Sequence, residues 1–161
     1  MIRRSLFAAV VALSATSAFA QSDTTPQQFV DRAAVSDMFE IESSRLALQR
    51  AQLPATRAFA ERMVLDNSAS STRLSQLVAG SVLTVPMELD AEHDKAMARL
   101  AAASPMEFDA VYIQLQQTAH KAEVEMFTNY AAIGSEPTLK SYAAEMLPIL
   151  RNHQNDVQVM K

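Results

Sequence analysis

Apolar residues recur at helical spacing through four long stretches of the chain, and each stretch carries a polar interruption on its apolar stripe. In the first, Glu40 lies among Ala33, Asp37, Ser44 and Ala47; in the second, Asp66, Asn67 and Ser70 break the run Phe59, Met63, Leu74, Leu77. In the third, His120 and Glu123 flank Ala119, Ala122 and Met126, and in the fourth His153 sits between Leu150 and Val157. No segment alternates with period two over a strand's length, so the pattern predicts an all-α fold. Long helices are expected over 26–51, 54–79, 105–133 and 136–158, with a short one near 90–102.

Punctuation agrees with these bounds. Thr25-Pro26-Gln27-Gln28 and Ser104-Pro105-Met106-Glu107 each read as a capping box with proline at the first helical position, and Pro54 and Pro137 open the other two long helices. The two glycines, Gly80 and Gly134, fall where a helix would end on a glycine just past its last turn. Pro148 lies inside the last helix, where it removes one backbone hydrogen bond, frees the carbonyl of Ala144 and is expected to kink the helix around the core.

The first and second long helices are joined by about two residues, as are the third and fourth, so each pair is an antiparallel hairpin. About 25 residues separate the second helix from the third, enough to run back along a helix and leave those two parallel. Two hairpins joined by such a crossover predict a ferritin-like four-helix bundle, with an up-down-up-down bundle as the alternative.

Composition narrows the setting. Arg3 and Arg4, the apolar run Leu6 to Leu13, and Ala18-Phe19-Ala20 read as a signal peptide over 1–20, cleaved before Gln21, with the bundle domain over 21–161. The apolar run is too short for a membrane span of about 20 residues. The paired arginines also fit a twin-arginine leader, although they are the ordinary start of a general secretory one. Taking those two from the 14 basic residues leaves 12 against 18 acidic, a net charge of −6 for the mature chain. That balance argues against nucleic acid or an anionic membrane surface as partner. With no cysteine there is no disulfide, thiolate site or lipidated anchor. The expectation is an exported protein, periplasmic or outer-membrane associated, with no transmembrane segment once the leader is removed. Its expected partners are a second copy of itself or another envelope protein.

The polar interruptions hold the candidate chemistry. In an antiparallel hairpin, residues at one height have numbers with a constant sum, about 105 for the first pair and about 269 for the second. Glu40 then faces Leu65 and Asp66, His120 faces Ile149, and His153 faces Gln116. This puts Glu40, Asp66 and His120 in one layer, with Glu123 about 4.5 Å along the axis. A second layer holds His153, Tyr112 and Gln116. Buried carboxylates with no basic partner must share a proton, admit water or bind a cation. The layer of Glu40, Asp66, His120 and Glu123 is accordingly a candidate site for iron, manganese or zinc. It lacks the full di-metal pattern, which needs Glu-x-x-His on two helices, and His120 falls at the edge of its helix's apolar face.

The alternative is a structural network in which Asn67 donates to Glu40 or Asp66, Ser70 and Asp109 take part, and His153 bonds Tyr112, Gln116 or a backbone carbonyl. The methionines read as packing, and His93, beside Glu92 and Asp94, as a solvated residue on the crossover.

Several stretches together resemble an exported family, domain of unknown function 4142, often labelled predicted outer membrane proteins. They are Phe29-Val30 with Ala33-Ala34, Glu40, Phe59-Ala60-Glu61-Arg62-Met63-Val64 followed by Asp66, Val85-Pro86, Phe108-Asp109-Ala110-Val111-Tyr112, His120, and Leu147-Pro148-Ile149-Leu150-Arg151-Asn152-His153. The resemblance implies a ferritin-like bundle in the cell envelope and brings no reaction with it. The family usually has Asp-His where this chain has Asp66-Asn67, so a ligand is absent here if that histidine is one in relatives.

Two functions follow. One is an envelope binding or interaction protein whose buried polar layer is structural, and this is the reading preferred on sequence. The other is a metal-binding or redox protein using the carboxylates and His120. No hydrolase motif stands out, and a non-enzymatic role is preferred: there is no cysteine, too little glycine for a phosphate loop or nucleophile elbow, and no His-Glu-x-x-His run.

Overall fold

The protein is described by a computed structural model over residues 24–160. The expected leader, 1–20, lies outside the described residues. Five helices follow one another: α1 Pro26–Arg50, α2 Pro54–Val78, α3 Ala91–Ala102, α4 Phe108–Ile133 and α5 Pro137–Val159. No strand occurs among the described residues.

The capping box at Thr25 forms as expected, with the Thr25 hydroxyl accepting from Gln28 N–H while the Gln28 side chain accepts from Thr25 N–H. At Ser104 it does not. There the Ser104 hydroxyl donates to the Glu107 carboxylate at 2.5 Å, and the Ser104 carbonyl accepts from the N–H groups of Glu107 and Phe108. These bonds close a turn, and α4 starts at Phe108 instead of 105. Gly80 takes φ 76°, the left-handed conformation of a glycine that ends a helix. Gly134 does not, having φ −55°; a Cβ there would lie 2.5 Å from the Tyr130 carbonyl, so close approach is what this position requires. α5 runs unbroken through Pro148.

Cross-helix bonds set the helix directions. Ser44 pairs with Tyr112 and Gln116 with Ser43, while the Asp109 carboxylate accepts from the N–H groups of Gln52 and Leu53, so α1 and α4 are antiparallel. Asp66 with His153 and Ser70 with Tyr142 make α2 and α5 antiparallel. Since α1 and α2 form a hairpin, α2 and α4 run parallel, as the long connection predicts. The connection carries α3, which packs on α1 and α4. Its end is held by Arg50, whose guanidinium donates to the carbonyls of Ala101 and Ala103 and lies over the Phe108 ring.

Two apolar clusters fill the bundle. One gathers Phe29, Leu74, Phe127, Tyr130 and Tyr142, with Phe29 and Tyr130 stacked at 4.0 Å. The other gathers Phe59, Met63, Phe108, Tyr112 and Val157. Each large side chain buried this way contributes about 1.5–3 kcal/mol. Between the clusters lies a belt of buried polar groups, and it is here that the candidate site is found.

Candidate functional site

On α1 the residues Asp37, Glu40, Ser43 and Ser44 are all buried, because spacings of three and four keep them on one face. α4 contributes Gln116, His120 and Glu123, α2 contributes Asn67 and Ser70, and α5 contributes Tyr142 and His153. Among the described residues no lysine or arginine is fully buried with them, although half-buried Arg62 bears on both histidines.

The structure brings Glu40, His120 and Glu123 together. Glu40 is fully buried, and its carboxylate lies 3.7 Å from Nδ1 of His120. Neither Glu40 oxygen has a hydrogen-bond partner, and Oε2 of Glu123 has none. His120 is fully buried rather than at a boundary. Its side chain folds back along α4, and Nδ1 meets the Gln116 carbonyl at 2.9 Å.

Asp66 does not join Glu40. The facing was misread: Asn67, not Asp66, occupies the inner face of α2, and one residue's rotation of about 100° turns Asp66 toward α5. There its carboxylate accepts from Nε2 of His153 at 2.8 Å. Asn67 donates to the Met63 carbonyl of its own helix, not to a carboxylate. His153 therefore bonds neither Tyr112 nor Gln116; Tyr112 pairs with Ser44, and Gln116 donates to Ser43. Ser70 donates to Asp37 and also meets Tyr142. Asp109 is not part of this belt, since it anchors the α1–α2 turn. The rim residue His93 is half-buried, bonded to Asp90 and packed edge-on against Phe39.

Ser43, Ser44 and Tyr142 were missed as members of the belt on sequence, and so was Asp37. It was visible on the stripe three residues before Glu40, the spacing that puts two side chains on one face.

Electrostatics follow from burial without compensation. Burial pushes the Glu40 carboxyl up to about 8, with the nearby Gln116 amide offsetting part of the rise. Burial and the Glu40 charge push Glu123 up to about 7 against the pull of His120 and Ser36. Asp37 is held well above the ordinary carboxylate range by burial and by Glu123 and Glu40, despite its bond from Ser70. Both histidines are lowered, chiefly by burial, against the opposing influence of Glu123 on His120 and of Asp66 on His153. The carboxyls favour their protonated form and the imidazoles their neutral one.

Hydrogen-bond acceptors then fix the tautomers. A carbonyl and a carboxylate can only accept, so His120 carries its proton on Nδ1 and His153 on Nε2. The remaining ring nitrogens, Nε2 of His120 and Nδ1 of His153, are buried lone pairs without a partner. The two rings stand 5.6 Å apart at 82°. Among the described residues, no three or more His, Cys, Asp or Glu side chains are grouped so as to hold a metal ion, so the four residues Glu40, Asp66, His120 and Glu123 do not form a ready cage.

The sequence profile of the family described as a domain of unknown function, DUF4142, matches residues 11–160. The chain belongs to this family. Two solved structures share the fold of this DUF4142 chain. One is a DUF305 fragment from Deinococcus radiodurans, 16% identical, with a TM-score of 0.71 over 84% of this chain and 95% of that one. The other is CopM in a Cu(II)-bound form, 18% identical, also with a TM-score of 0.71 over 84% of this chain and 95% of that one. Both likenesses concern the fold alone. No curated protein sequence matches the chain. Among the described residues, no helix is long and apolar enough to cross a membrane.

Proposed function

We propose that this DUF4142 protein binds a transition-metal ion in its bundle core, with His120 Nε2 and His153 Nδ1 as nitrogen ligands. One observation carries this reading: each imidazole spends one nitrogen on an oxygen acceptor and leaves the other a buried lone pair without a partner. Metal-bound histidines have this arrangement, with the far nitrogen donating to a carboxylate or backbone carbonyl that sets the tautomer. Glu40, with both oxygens unpartnered and 3.7 Å from Nδ1 of His120, would supply negative charge at the same level by releasing its proton when the cation binds. When bound, the ion would satisfy lone pairs that otherwise cost about 1–3 kcal/mol each.

Imidazole ligands suit zinc, copper and iron better than manganese. The Cu(II) recorded with CopM, a protein of like fold, makes copper worth testing beside iron, manganese and zinc. The protein is read as a binder of the ion, not an oxidase, because only His120 and His153 lie in the belt and no Glu-x-x-His pair accompanies them.

The test uses mature protein purified without tag and stripped with chelator. Zinc or copper is expected to raise the melting temperature, by about 2.7 kcal/mol of stability at a hundredfold excess over Kd. Either His120→Ala or His153→Ala is expected to abolish the rise while retaining helical circular dichroism. No metal-dependent shift, or a shift that survives both substitutions, would overturn the reading.

A second reading has its own support. Ser43 with Gln116, Ser44 with Tyr112, Ser70 with Asp37 and Ser70 with Tyr142 are satisfied cross-helix bonds that align α1, α2, α4 and α5 without an ion. This structural role coexists with metal binding, and an interaction role with an envelope partner or a second copy rests on it.

We also infer export to the cell envelope from the leader-like residues 1–20. Recovery of the protein from periplasmic or outer-membrane fractions, with an N-terminus at Gln21, tests this. Recovery of the uncleaved chain from cytoplasm would refute it.

A further inference from the structure

A cleft of about 270 Å³ opens between α3 and the face made by α1 and α4; neither His120 nor His153 lines it. Its walls are apolar, with Val35, Phe39, Leu115, Ala119 and Met126 among its lining. Its rim carries the exposed charges of Asp90, Glu92 and Arg32. Glu123 is the deepest of its charged lining residues, only 3% exposed, and its Oε2 has no hydrogen-bond partner.

Such a cleft discriminates among ligands by charge and shape. A purely apolar ligand would bury Glu123 further without pairing it, and an anion would meet three carboxylates against one arginine. A multiply charged cation would place surplus charge against the apolar walls. A primary ammonium head on an apolar tail meets both demands, since it donates to Glu123 while the tail lies against Phe39, Leu115 and Met126. The volume fits a small molecule: a cavity of about 150 Å³ holds benzene, and drug-sized pockets begin near about 300 Å³.

We propose that this cleft is a binding site for a small aralkyl or alkyl primary amine, its ammonium paired with Glu123 beneath the α3 crossover. This does not depend on metal binding at the histidines.

The experiment is calorimetric titration of the mature protein, with chelator present so that the histidine pair takes no ion. The ligands are 2-phenylethylamine and its neutral isostere 2-phenylethanol. The amine is expected to bind, and the alcohol to bind at least about tenfold more weakly. Glu123→Gln is expected to erase that preference while keeping the melting temperature, because it removes a buried acid and preserves its shape. Ala119→Leu, which fills the cleft one helical turn from Glu123, is expected to weaken the amine and keeps the test open should the first variant misfold. Equal affinity for amine and alcohol, no binding of the amine at millimolar concentration, or an unchanged amine preference in Glu123→Gln would overturn the proposal.

Discussion

The rings of His120 and His153 meet edge to face with centroids 5.6 Å apart, although helix heights alone place the two residues in different layers. Side chains on a helix lean toward its N-terminus, and α4 and α5 are antiparallel, so the two imidazoles lean toward each other. Truncating His153 to Ala is expected to cost about 1–3 kcal/mol in chemical denaturation, through a cavity and an orphaned Asp66 acceptor. A change within error would show that the ring contributes no packing.

Asp66 sits behind His153, so its substitution separates ligand from orienting group. If the imidazole holds an ion, Asp66→Asn is expected to weaken binding by about 10–100-fold without abolishing it, since outer partners of a ligating histidine have effects of that size. Isothermal titration with zinc measures this directly. An unchanged affinity would place Asp66 outside the site.

Asn67 lies on the inner face of α2 and spends its amide on the Met63 carbonyl. Asn67→His is expected to tighten metal binding, because an imidazole replaces a weak amide ligand. The readout is a larger metal-induced rise in melting temperature than in the native chain. A smaller rise would mean that the inner face of α2 does not reach the ion.

The buried acids predict an unusual dependence on pH. Glu40 and Glu123 titrate near 4.5 when unfolded but at about 8 and about 7 when folded, so the native state holds extra protons between those values. Their contribution is full below 4.5 and is lost as pH rises through 7 to 8. Asp37 acts in the same direction. His120 and His153 act oppositely, losing stability as pH falls below 6.5, and Arg62 is the cation that bears on both. Metal-free protein is therefore expected to melt at lower temperature as pH rises from 6.5 to 8, and Glu40→Gln to flatten that decline. A melting temperature that climbs over this interval would contradict the burial of a protonated Glu40.

Asp109 ties the start of α4 to the α1–α2 turn through two backbone N–H groups, at 2.9 and 3.1 Å. Those bonds outweigh burial and hold its carboxyl below the usual range. Asp109→Ala is expected to destabilise by about 1–3 kcal/mol at neutral pH, read by urea denaturation. The loss should shrink as pH falls through the carboxylate range, since protonation already weakens the same bonds in the native chain.

Helix periodicity and caps made the elements legible in sequence, because 3.6-residue spacing and proline starts are local properties. Connection length made the topology legible, because the stretch between Val78 and Phe108 is long enough to return along a helix. Facing was harder to read. Asp66 and Asn67 are adjacent, and a turn of one residue decides which of them meets α1 and which meets α5. The placement of His120 at a boundary failed for a related reason: helix-wheel angle ignores the side chain's own fold back onto the Gln116 carbonyl. The Ser104 turn was misread because its hydroxyl found the Glu107 carboxylate instead of its N–H.

In the core, Tyr112 with Ser44 and Tyr142 with Ser70 are hydroxyl pairs in which either oxygen can be the donor. While Asp37 is ionised, Ser70 donates to it and Tyr142 must donate to Ser70; once Asp37 takes a proton, the whole relay can run the other way. Only hydrogens rotate in that exchange. The belt can thus absorb a unit of charge by reorienting O–H bonds, so the helix backbones need not move when the core changes its ionisation.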